Sequence, residues 1–143
     1  MKRKTEEVDI KVELGKEGVI DTSDKVLDHL LTTLTFYMNV DAKIKAEGDL
    51  RHHLWEDLAI VFGEEINSKI QNKNINRYGN TVMPMDDALV MVVVDISRTY
   101  LNIDINIEEE ENGFEVTLVR EFLNALSRTL KATIHIKQMS GIN

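Results

Sequence analysis

The sequence predicts an α/β (α+β) fold made of two similar β-β-α-β-α half-repeats that pack pseudo-symmetrically, with the last helix of the second half-repeat missing. Stretches in which apolar and polar residues alternate indicate strands, and stretches with apolar residues three and four positions apart indicate amphipathic helices. These stretches follow the same order twice, over residues 1–70 and 71–143. A chain of 143 residues holds both half-repeats in one compact domain.

The first half-repeat is expected to run strand, strand, helix, strand, helix. Apolar and charged side chains alternate in its first strand, and Gly15–Gly18 marks a turn after it. Thr22, Ser23 and Asp24 are good N-cap residues for the first helix. The predicted elements are strands at Val8–Leu14, Val19–Thr22 and Ala42–Ala46, a helix to about Met38, and a second amphipathic helix from about His53 to Lys69.

The second half-repeat is expected to run strands, helix, strand. Ala88–Ile96 is nearly all apolar and therefore suits a central strand, and Pro84 is expected to interrupt the strand before it. The acidic run at Glu108–Gly113 is predicted to be a solvated hairpin or loop. The predicted elements are strands at Tyr78–Met83, Ala88–Ile96, Tyr100–Ile107 and Ala132–Lys137, and a helix at Glu115–Leu130.

A complete repeat should finish with a second helix, but the sequence stops where that helix would begin. Part of the apolar face of the second sheet is then expected to lack cover. Either a partner chain covers it, or the sequence lacks a C-terminal segment. We expect the natural protein to continue past Asn143.

Composition excludes several classes of protein. The net charge of −8 argues against a nucleic-acid partner, because phosphate contacts need a basic surface. No apolar run reaches the length of a membrane span, and the basic start at Met1–Lys4 lacks the apolar stretch of a signal peptide. We therefore expect a soluble, cytoplasmic protein. Since there is no cysteine, a metal must be held by histidines and carboxylates, which favours manganese, iron or zinc.

Residues 48–57 (GDLRHHLWED) concentrate potential metal ligands. His52 and Glu56 are four residues apart, so they would share one face of a helix as a chelating pair. His53 lies about 100° further round the helix, so the two rings should point apart and His53 should serve a second ion, with Asp57 as its partner. The alternative is an exposed helix N-terminus at which carboxylates complement the helix dipole and the histidines are solvated. The spacing alone leaves both interpretations equally open.

Six short motifs follow one another along the chain in a recognisable order. They are Arg3-x-Thr5-x-Glu7; Asp28-His29-Leu30-Leu31; Gly48-Asp49-Leu50 with His52-His53-x-x-Glu56-Asp57; Arg77-Tyr78-Gly79 with Pro84-Met85-Asp86-Asp87-x-Leu89; Asp95-Ile96-Ser97-Arg98; and Thr133-Ile134-His135-Ile136 with Gly141 and Asn143. Together they resemble the motifs of the imidazoleglycerol-phosphate dehydratase family over essentially the whole chain. The members of this family are enzymes of histidine biosynthesis. Any one of these motifs is weak evidence, but six in register are specific.

Three departures from the family pattern stand out. Only Arg51 separates Gly48-Asp49-Leu50 from the histidines, where the family usually has four residues. The glycine that the family has before its arginine is absent before Arg98. The family also continues into a second HHxxE, which this sequence does not contain.

The resemblance implies a manganese-dependent hydro-lyase that removes water from imidazole glycerol phosphate to give imidazole acetol phosphate. It implies two Mn²⁺ ions per site, held at subunit interfaces of a large symmetric homo-oligomer, with further ligands from the segment that is missing. By position, Glu7 would be the catalytic acid/base, and Arg77 and Arg98 would bind the substrate phosphate. The metal ligands would be His29, His52, His53, Glu56 and Glu121.

Two rival functions remain at this stage. One is a non-catalytic or truncated relative that binds metal or only assembles, which the missing HHxxE favours. The other is a generic metallohydrolase built on HHxxE. Apart from the implied ligands, we expect His135 to be structural, and Asp86 either orients the site or caps the turn after Pro84.

Overall fold

The computed structural model describes residues 1–106, 110–111 and 113–141 of the chain. The first half contains strands β1 (Lys2–Lys4), β2 (Val8–Leu14), β3 (Ile20–Asp21) and β4 (Ala42–Gly48), and helices α1 (Lys25–Tyr37) and α2 (Arg51–Ile70). The second half contains strands β5 (Tyr78–Met85), β6 (Ala88–Ile96), β7 (Tyr100–Asp104), β8 (Glu110–Glu111) and β9 (Phe114–Glu115), helix α3 (Val116–Leu130) and strand β10 (Ala132–Ser140).

The two halves share one sheet topology. Their four-stranded sheets have the orders β1-β2-β4-β3 and β5-β6-β10-β7. In each sheet the first three strands are antiparallel to their neighbours and the last pair is parallel. The predicted α/β fold of two similar halves is therefore confirmed. Strand β1, which was not predicted, gives the first sheet the same four strand positions as the second.

The segment predicted as a return strand after β2 lies elsewhere in the sheet. Strand β3 pairs in parallel with β4, on the side away from β2. Gly15 adopts a positive φ of 78° and its N–H donates to the Asp41 carbonyl (2.7 Å). The chain therefore leaves β2 beside the start of β4 and passes to its far edge.

Pro84 does not interrupt its strand, contrary to the prediction. Strand β5 continues through Pro84, which pairs with Leu89, to Met85. Strand β5 is at the edge of the sheet and has β6 as a neighbour on one side only. The N–H that proline lacks is therefore not required for a hydrogen bond to a second neighbouring strand. Asp86 follows at the hairpin turn with a φ of 48°, which agrees with a turn role for this residue.

Only part of the predicted acidic loop lies within the described residues. There, Glu110–Glu111 pairs with Phe114–Glu115 as a short hairpin before α3. The rest of that loop, residues 108–109 and 112, lies outside the described residues, as does the end of the strand predicted to reach Ile107.

The main core forms where the first sheet and the three helices meet. Alternate residues of β2 and β4 point into it, while Asp9, Lys11 and Glu13 occupy the other face of β2. Trp55 and Phe62 of α2 are the largest fully buried side chains. Helix α2 packs on β2 and β4 on one side and on α3 on another. The helix whose first turn contains the two histidines is thus the centre of the packed structure.

The second sheet is covered differently. Helix α3 packs on β7 and β10, and after the buried Ala88 the residues of β6 are only half-buried. No helix in the described part of the chain is both long and apolar enough to cross a membrane.

Candidate functional site

The histidine pair lies in the first turn of α2, and two residues separate the start of this helix from the end of β4. Asp49 and Leu50 make this connection, in which the Asp49 N–H donates to the Glu7 carbonyl (2.9 Å). At Gly48, an added Cβ would lie 3.0 Å from Leu54 Cβ, so the turn brings the strand close against the first turn of the helix. Strands β2 and β4 therefore fix the position at which the first turn of α2 starts.

The rings of His52 and His53 contact each other, whereas helical geometry alone predicted that they would point apart. Their centroids are 4.1 Å apart and their planes are inclined by 61°. His52 is exposed and His53 is half-buried. Rotation about the side-chain bonds brings the rings together although their Cα atoms lie about 100° apart around the helix. That the two histidines serve two ions stays a prediction.

The carboxylate that binds His53 is Asp49, not the predicted Asp57. A carboxylate oxygen can only accept, so His53 Nδ1–H donates to Asp49 Oδ1 (2.8 Å). In the neutral ring this leaves Nε2 as the acceptor that can bind a metal. The hydrogen bond that His53 donates to Asp49 is the main reason why the pKa of His53 is raised.

Glu7 lies beside the same histidine. Its Oε2 is 4.0 Å from His53 Nδ1, and the side chain is about half exposed. Glu7 precedes β2, and β2 pairs with β4, whose last residue is close to α2. The sheet thereby joins the predicted acid/base to a predicted metal ligand 46 residues later in the chain.

The other two carboxylates of the motif contact arginines. Glu56 Oε1 accepts a hydrogen bond from Arg128 Nη2 of α3 (2.9 Å). Asp57 Oδ1 lies 3.0 Å from Arg3 Nε. The predicted His52–Glu56 and His53–Asp57 pairs are therefore replaced by pairs that the packing of α3 and β1 creates.

The remaining predicted metal ligands lie on other helices. His29 is exposed on α1, which excludes a buried core role for it, and Glu121 is exposed on α3 beside Leu101 and Ile103. Within the described residues, no three His, Asp or Glu side chains come together so that they could hold a metal ion. Imidazole and carboxylate are nevertheless donors that Mn²⁺, Fe²⁺ and Zn²⁺ accept. As individual ligands these residues fit such an ion, provided that further ligands complete the site.

The predicted phosphate-binding residues lie at one end of the second sheet. Arg77, next to β5, donates from Nε to Asp95 Oδ1 (2.5 Å) and from Nη2 to Asp95 Oδ2 (3.0 Å). Ser97 Oγ donates to the same Oδ2 (2.9 Å), and the Arg77 guanidinium lies 5.0 Å from the centre of the Tyr78 ring. These contacts use one edge of the guanidinium and leave the Nη1/Nη2 edge able to bind an anion bidentately.

Arg98 lies in the turn between β6 and β7, near the same carboxylate. Its carbonyl accepts from Thr133 Oγ1 (3.0 Å) and its side chain is exposed. The pKa of Asp95 is lowered, chiefly by the hydrogen bond from Arg77 and to a smaller degree by the charge of Arg98. Both predicted arginines thus act on Asp95, which reasoning from the sequence did not single out as a site residue.

His135 lies on β10 and packs beside Tyr100 of the neighbouring strand, with ring centroids 5.4 Å apart. Its side chain is exposed, and the structural role predicted for it stays a prediction. Asp49 and Asp95 are the residues that sequence reasoning missed. Asp49 is four residues before His53 and so had the same helical spacing as Asp57, but in the other direction.

Comparison with known proteins gives consistent matches. A profile of the family described as imidazoleglycerol-phosphate dehydratase matches residues 22–143. The curated protein of that name from Pyrococcus furiosus is 55% identical over 144 residues, covering 100% of this chain and 81% of its own length. The one from Desulfotalea psychrophila is 40% identical, covering 99% of this chain and 76% of its own length.

Two crystal structures match the whole chain. One is IGPD from Pyrococcus furiosus in complex with (S)-C348, with a TM-score of 0.94, 54% identity and coverage of 100% of this chain and 81% of that one. The other is imidazoleglycerol-phosphate dehydratase from Staphylococcus aureus, with a TM-score of 0.87, 34% identity and coverage of 100% and 85%.

Proposed function

Because the chain belongs to the imidazoleglycerol-phosphate dehydratase family, we propose that it takes part in histidine biosynthesis by removing water from imidazole glycerol phosphate to give imidazole acetol phosphate. The observation that carries the proposal is the position of Glu7 Oε2, 4.0 Å from Nδ1 of His53 at the start of α2. The candidate proton-transfer group is thus next to a candidate metal ligand. The enzyme is expected to work in the cytoplasm.

We propose that His29, His52, His53, Glu56 and Glu121 are ligands for two Mn²⁺ ions. When bound, such an ion supplies Lewis acidity that favours the deprotonated form of the substrate imidazole and so helps the hydroxyl group to leave. His53 would bind through Nε2, because Asp49 holds its Nδ1–H. Glu56 would have to exchange its contact with Arg128 for the ion.

Glu7 is the candidate catalytic acid/base. The carbon-bound proton that the reaction removes is not acidic, so a positioned base is required. The Glu7 carboxylate is solvent-exposed and 4.0 Å from His53 Nδ1, so a substrate held at the histidines would come within its reach. The same carboxyl group, once protonated, can return a proton to the product.

The phosphate group of the substrate would bind to Arg77 and Arg98. Arginine suits this task because it stays charged and binds phosphate through two parallel hydrogen bonds. Asp95 holds Arg77 by one edge and leaves the other edge for the phosphate. The ion pair fixes the orientation of the guanidinium before the substrate arrives, which reduces the conformational entropy lost on binding.

The ligands lie on three helices, so we propose that complete sites form between subunits of a large symmetric homo-oligomer. The same observation favours a second candidate, a relative that binds metal or only assembles, because no metal-binding group of three forms within the described residues. Catalysis of the dehydration distinguishes the two candidates.

The experiment compares the wild-type protein with Glu7→Gln in a dehydration assay, after EDTA treatment and readdition of Mn²⁺. We expect activity only with Mn²⁺, and a kcat that falls about 100-fold or more in Glu7→Gln, since general acid–base catalysis contributes a factor of that order. Mn²⁺ binding and KM should change little. A wild-type protein that binds Mn²⁺ but forms no imidazole acetol phosphate would instead support the assembly-only relative.

A further inference from the structure

Arg51 is the first residue of α2, a position at which a positively charged side chain is unfavourable. A helix N-terminus carries a partial positive charge, which disfavours a cation in the first turn. Leu50 caps α2 without a side-chain hydrogen bond, and the first turn contains no acidic residue. The start of α2 therefore depends on groups from outside the helix.

Two carboxylates from other helices supply that support. Arg51 Nε donates to Asp24 Oδ2 (2.8 Å) and Nη1 donates to Glu115 Oε1 (2.5 Å), while Nη2 donates to the Gly113 carbonyl (3.2 Å). Asp24 is the N-cap of α1, where its other oxygen accepts from backbone N–H groups, and Glu115 is the N-cap of α3. One guanidinium thus joins the beginnings of all three helices.

The same contacts fix the rotation of α2 about its axis. Trp55, one turn after Arg51, donates from Nε1 to the same Asp24 Oδ2 (3.0 Å). Two residues four positions apart are therefore held on one oxygen, and Trp55 is fully buried. His52 and His53 follow Arg51 directly, at about 100° and 200° around the helix, so the directions in which their Cα–Cβ bonds leave the helix follow from this fixed stripe.

Resting on the proposed metal centre, we infer that Arg51 is a positioning residue that sets the direction of the His52 and His53 side chains for metal binding. It does so by tying the first turn of α2 to Asp24 and Glu115. Without the guanidinium, the first turn of α2 loses its contacts with the beginnings of α1 and α3 and is left with the His53–Asp49 hydrogen bond and the buried Leu54 side chain, and helix ends are where local opening costs least. The two histidines lie in this first turn.

The test measures Mn²⁺ affinity of metal-free protein by isothermal titration and by the EPR signal of free Mn²⁺, in wild type, Arg51→Ala and Arg51→Lys. Removing a group that orients a metal ligand typically weakens metal binding 10- to 100-fold, and we expect a loss of about that size in Arg51→Ala. Lysine keeps the charge but cannot bridge two carboxylates with a planar fork, so Arg51→Lys should recover only part of the affinity.

Gly63→Ala is the matched control for a general loss of stability. It perturbs the contact of α2 with α3 at Thr129, three turns after Arg51 and away from the two histidines, although Thr129 is next to Arg128, which binds Glu56. It should lower stability yet weaken Mn²⁺ binding less than Arg51→Ala does and keep the wild-type ¹⁵N signals of the histidine rings, whereas Arg51→Ala should shift the ring signals of His52 and His53 in metal-free protein.

The possible outcomes separate the two proposals. Equal Mn²⁺ affinity in wild type and Arg51→Ala would overturn the role of Arg51 and leave the metal centre standing. A wild-type protein that binds no Mn²⁺ would overturn both. A loss of affinity in Gly63→Ala as large as that in Arg51→Ala would reduce Arg51 to an ordinary contributor to stability and also overturn the inference.

Discussion

Replacing Gly63 by alanine should force α2 and α3 apart. A Cβ at position 63 would lie 2.9 Å from both Cβ and Cγ2 of Thr129 and 3.4 Å from Leu126 Cδ1. Thr129 cannot easily give way, because its Oγ1 donates to the Ala125 carbonyl (2.9 Å) and its carbonyl accepts from Asn67 Nδ2 (2.8 Å). Since carbon atoms pack best at about 3.5–4.0 Å, the helices must separate by roughly 0.6 Å or more at this point.

Two opposing effects set the magnitude. Alanine is favoured over glycine inside a helix by about 1 kcal/mol, whereas overpacking a well-packed contact typically costs about 1–3 kcal/mol. Because the contact involves the Cβ of Thr129, which is fixed to the backbone, we place the cost in the upper part of that range. The free energy of unfolding of Gly63→Ala should therefore be lower by about 1–2 kcal/mol.

Urea unfolding at one fixed protein concentration measures this change. With an m-value of about 2 kcal/mol/M, the midpoint should fall by about 0.5–1 M while the slope stays the same. Gly79→Ala is the matched control, because no atom lies within 4 Å of the added Cβ and its φ is not positive, so its stability should stay within about 0.5 kcal/mol of wild type. A midpoint for Gly63→Ala equal to or above that of wild type would refute the reasoning.

Three further predictions concern binding, acid stability and assembly. Arg77→Lys should raise KM about 10-fold with a smaller effect on kcat, because a point charge replaces a bidentate grip on the phosphate; an unchanged KM would argue against the phosphate role. Burial opposes the ionisation of Asp24, but hydrogen bonds from Arg51, Trp55 and the Leu27 N–H outweigh it and lower its pKa below the usual 3.8. The ionised Asp24 side chain therefore stabilises the protein above pH 3.8, and this stabilisation is lost as the pH falls through the lowered pKa. Between about pH 5 and pH 3, the urea midpoint of Asp24→Asn should therefore fall less than that of wild type. Equal falls of the two midpoints would contradict this. The elution volume of wild type should correspond to a large oligomer when Mn²⁺ is present, and a monomer that ignores Mn²⁺ would contradict interface sites.

The elements of the fold were predictable because local patterns determine them. Strand β2 has the predicted bounds Val8–Leu14, since alternation is read directly from the sequence. Helix α1 begins after Asp24, whose side chain accepts from two backbone N–H groups as an N-cap should. The continuation of β5 through Pro84 was missed because it depends on the position of β5 at the edge of the sheet, which no local pattern shows.

The partners in the candidate site were less predictable for a related reason. The spacing of the motif suggested that Glu56 would face His52, but Arg128, 72 residues later, binds Glu56 once α3 packs on α2. Likewise, the choice of Asp49 over Asp57 as the partner of His53 follows from the turn that ends β4. Helical spacing shows which residues can meet, and tertiary packing decides which of them do.

The register of the two sheets shows that one equivalent position carries a carboxylate in both halves, but with different basic partners. In the first sheet Glu13 of β2 pairs with Lys43 of β4, next to the pair Leu14–Ala42. In the second sheet Asp95 of β6 pairs with Thr133 of β10, next to the pair Ile96–Ala132. Glu13 and Asp95 are therefore equivalent carboxylates. Glu13 is bound by Lys11 (3.1 Å) and Lys16 (3.3 Å), which are separate point charges, whereas Asp95 is bound by the guanidinium of Arg77. Only an arginine can use one edge for the carboxylate and offer a second edge to a phosphate, so the proposed phosphate site is expected in the second half and not at the equivalent position of the first.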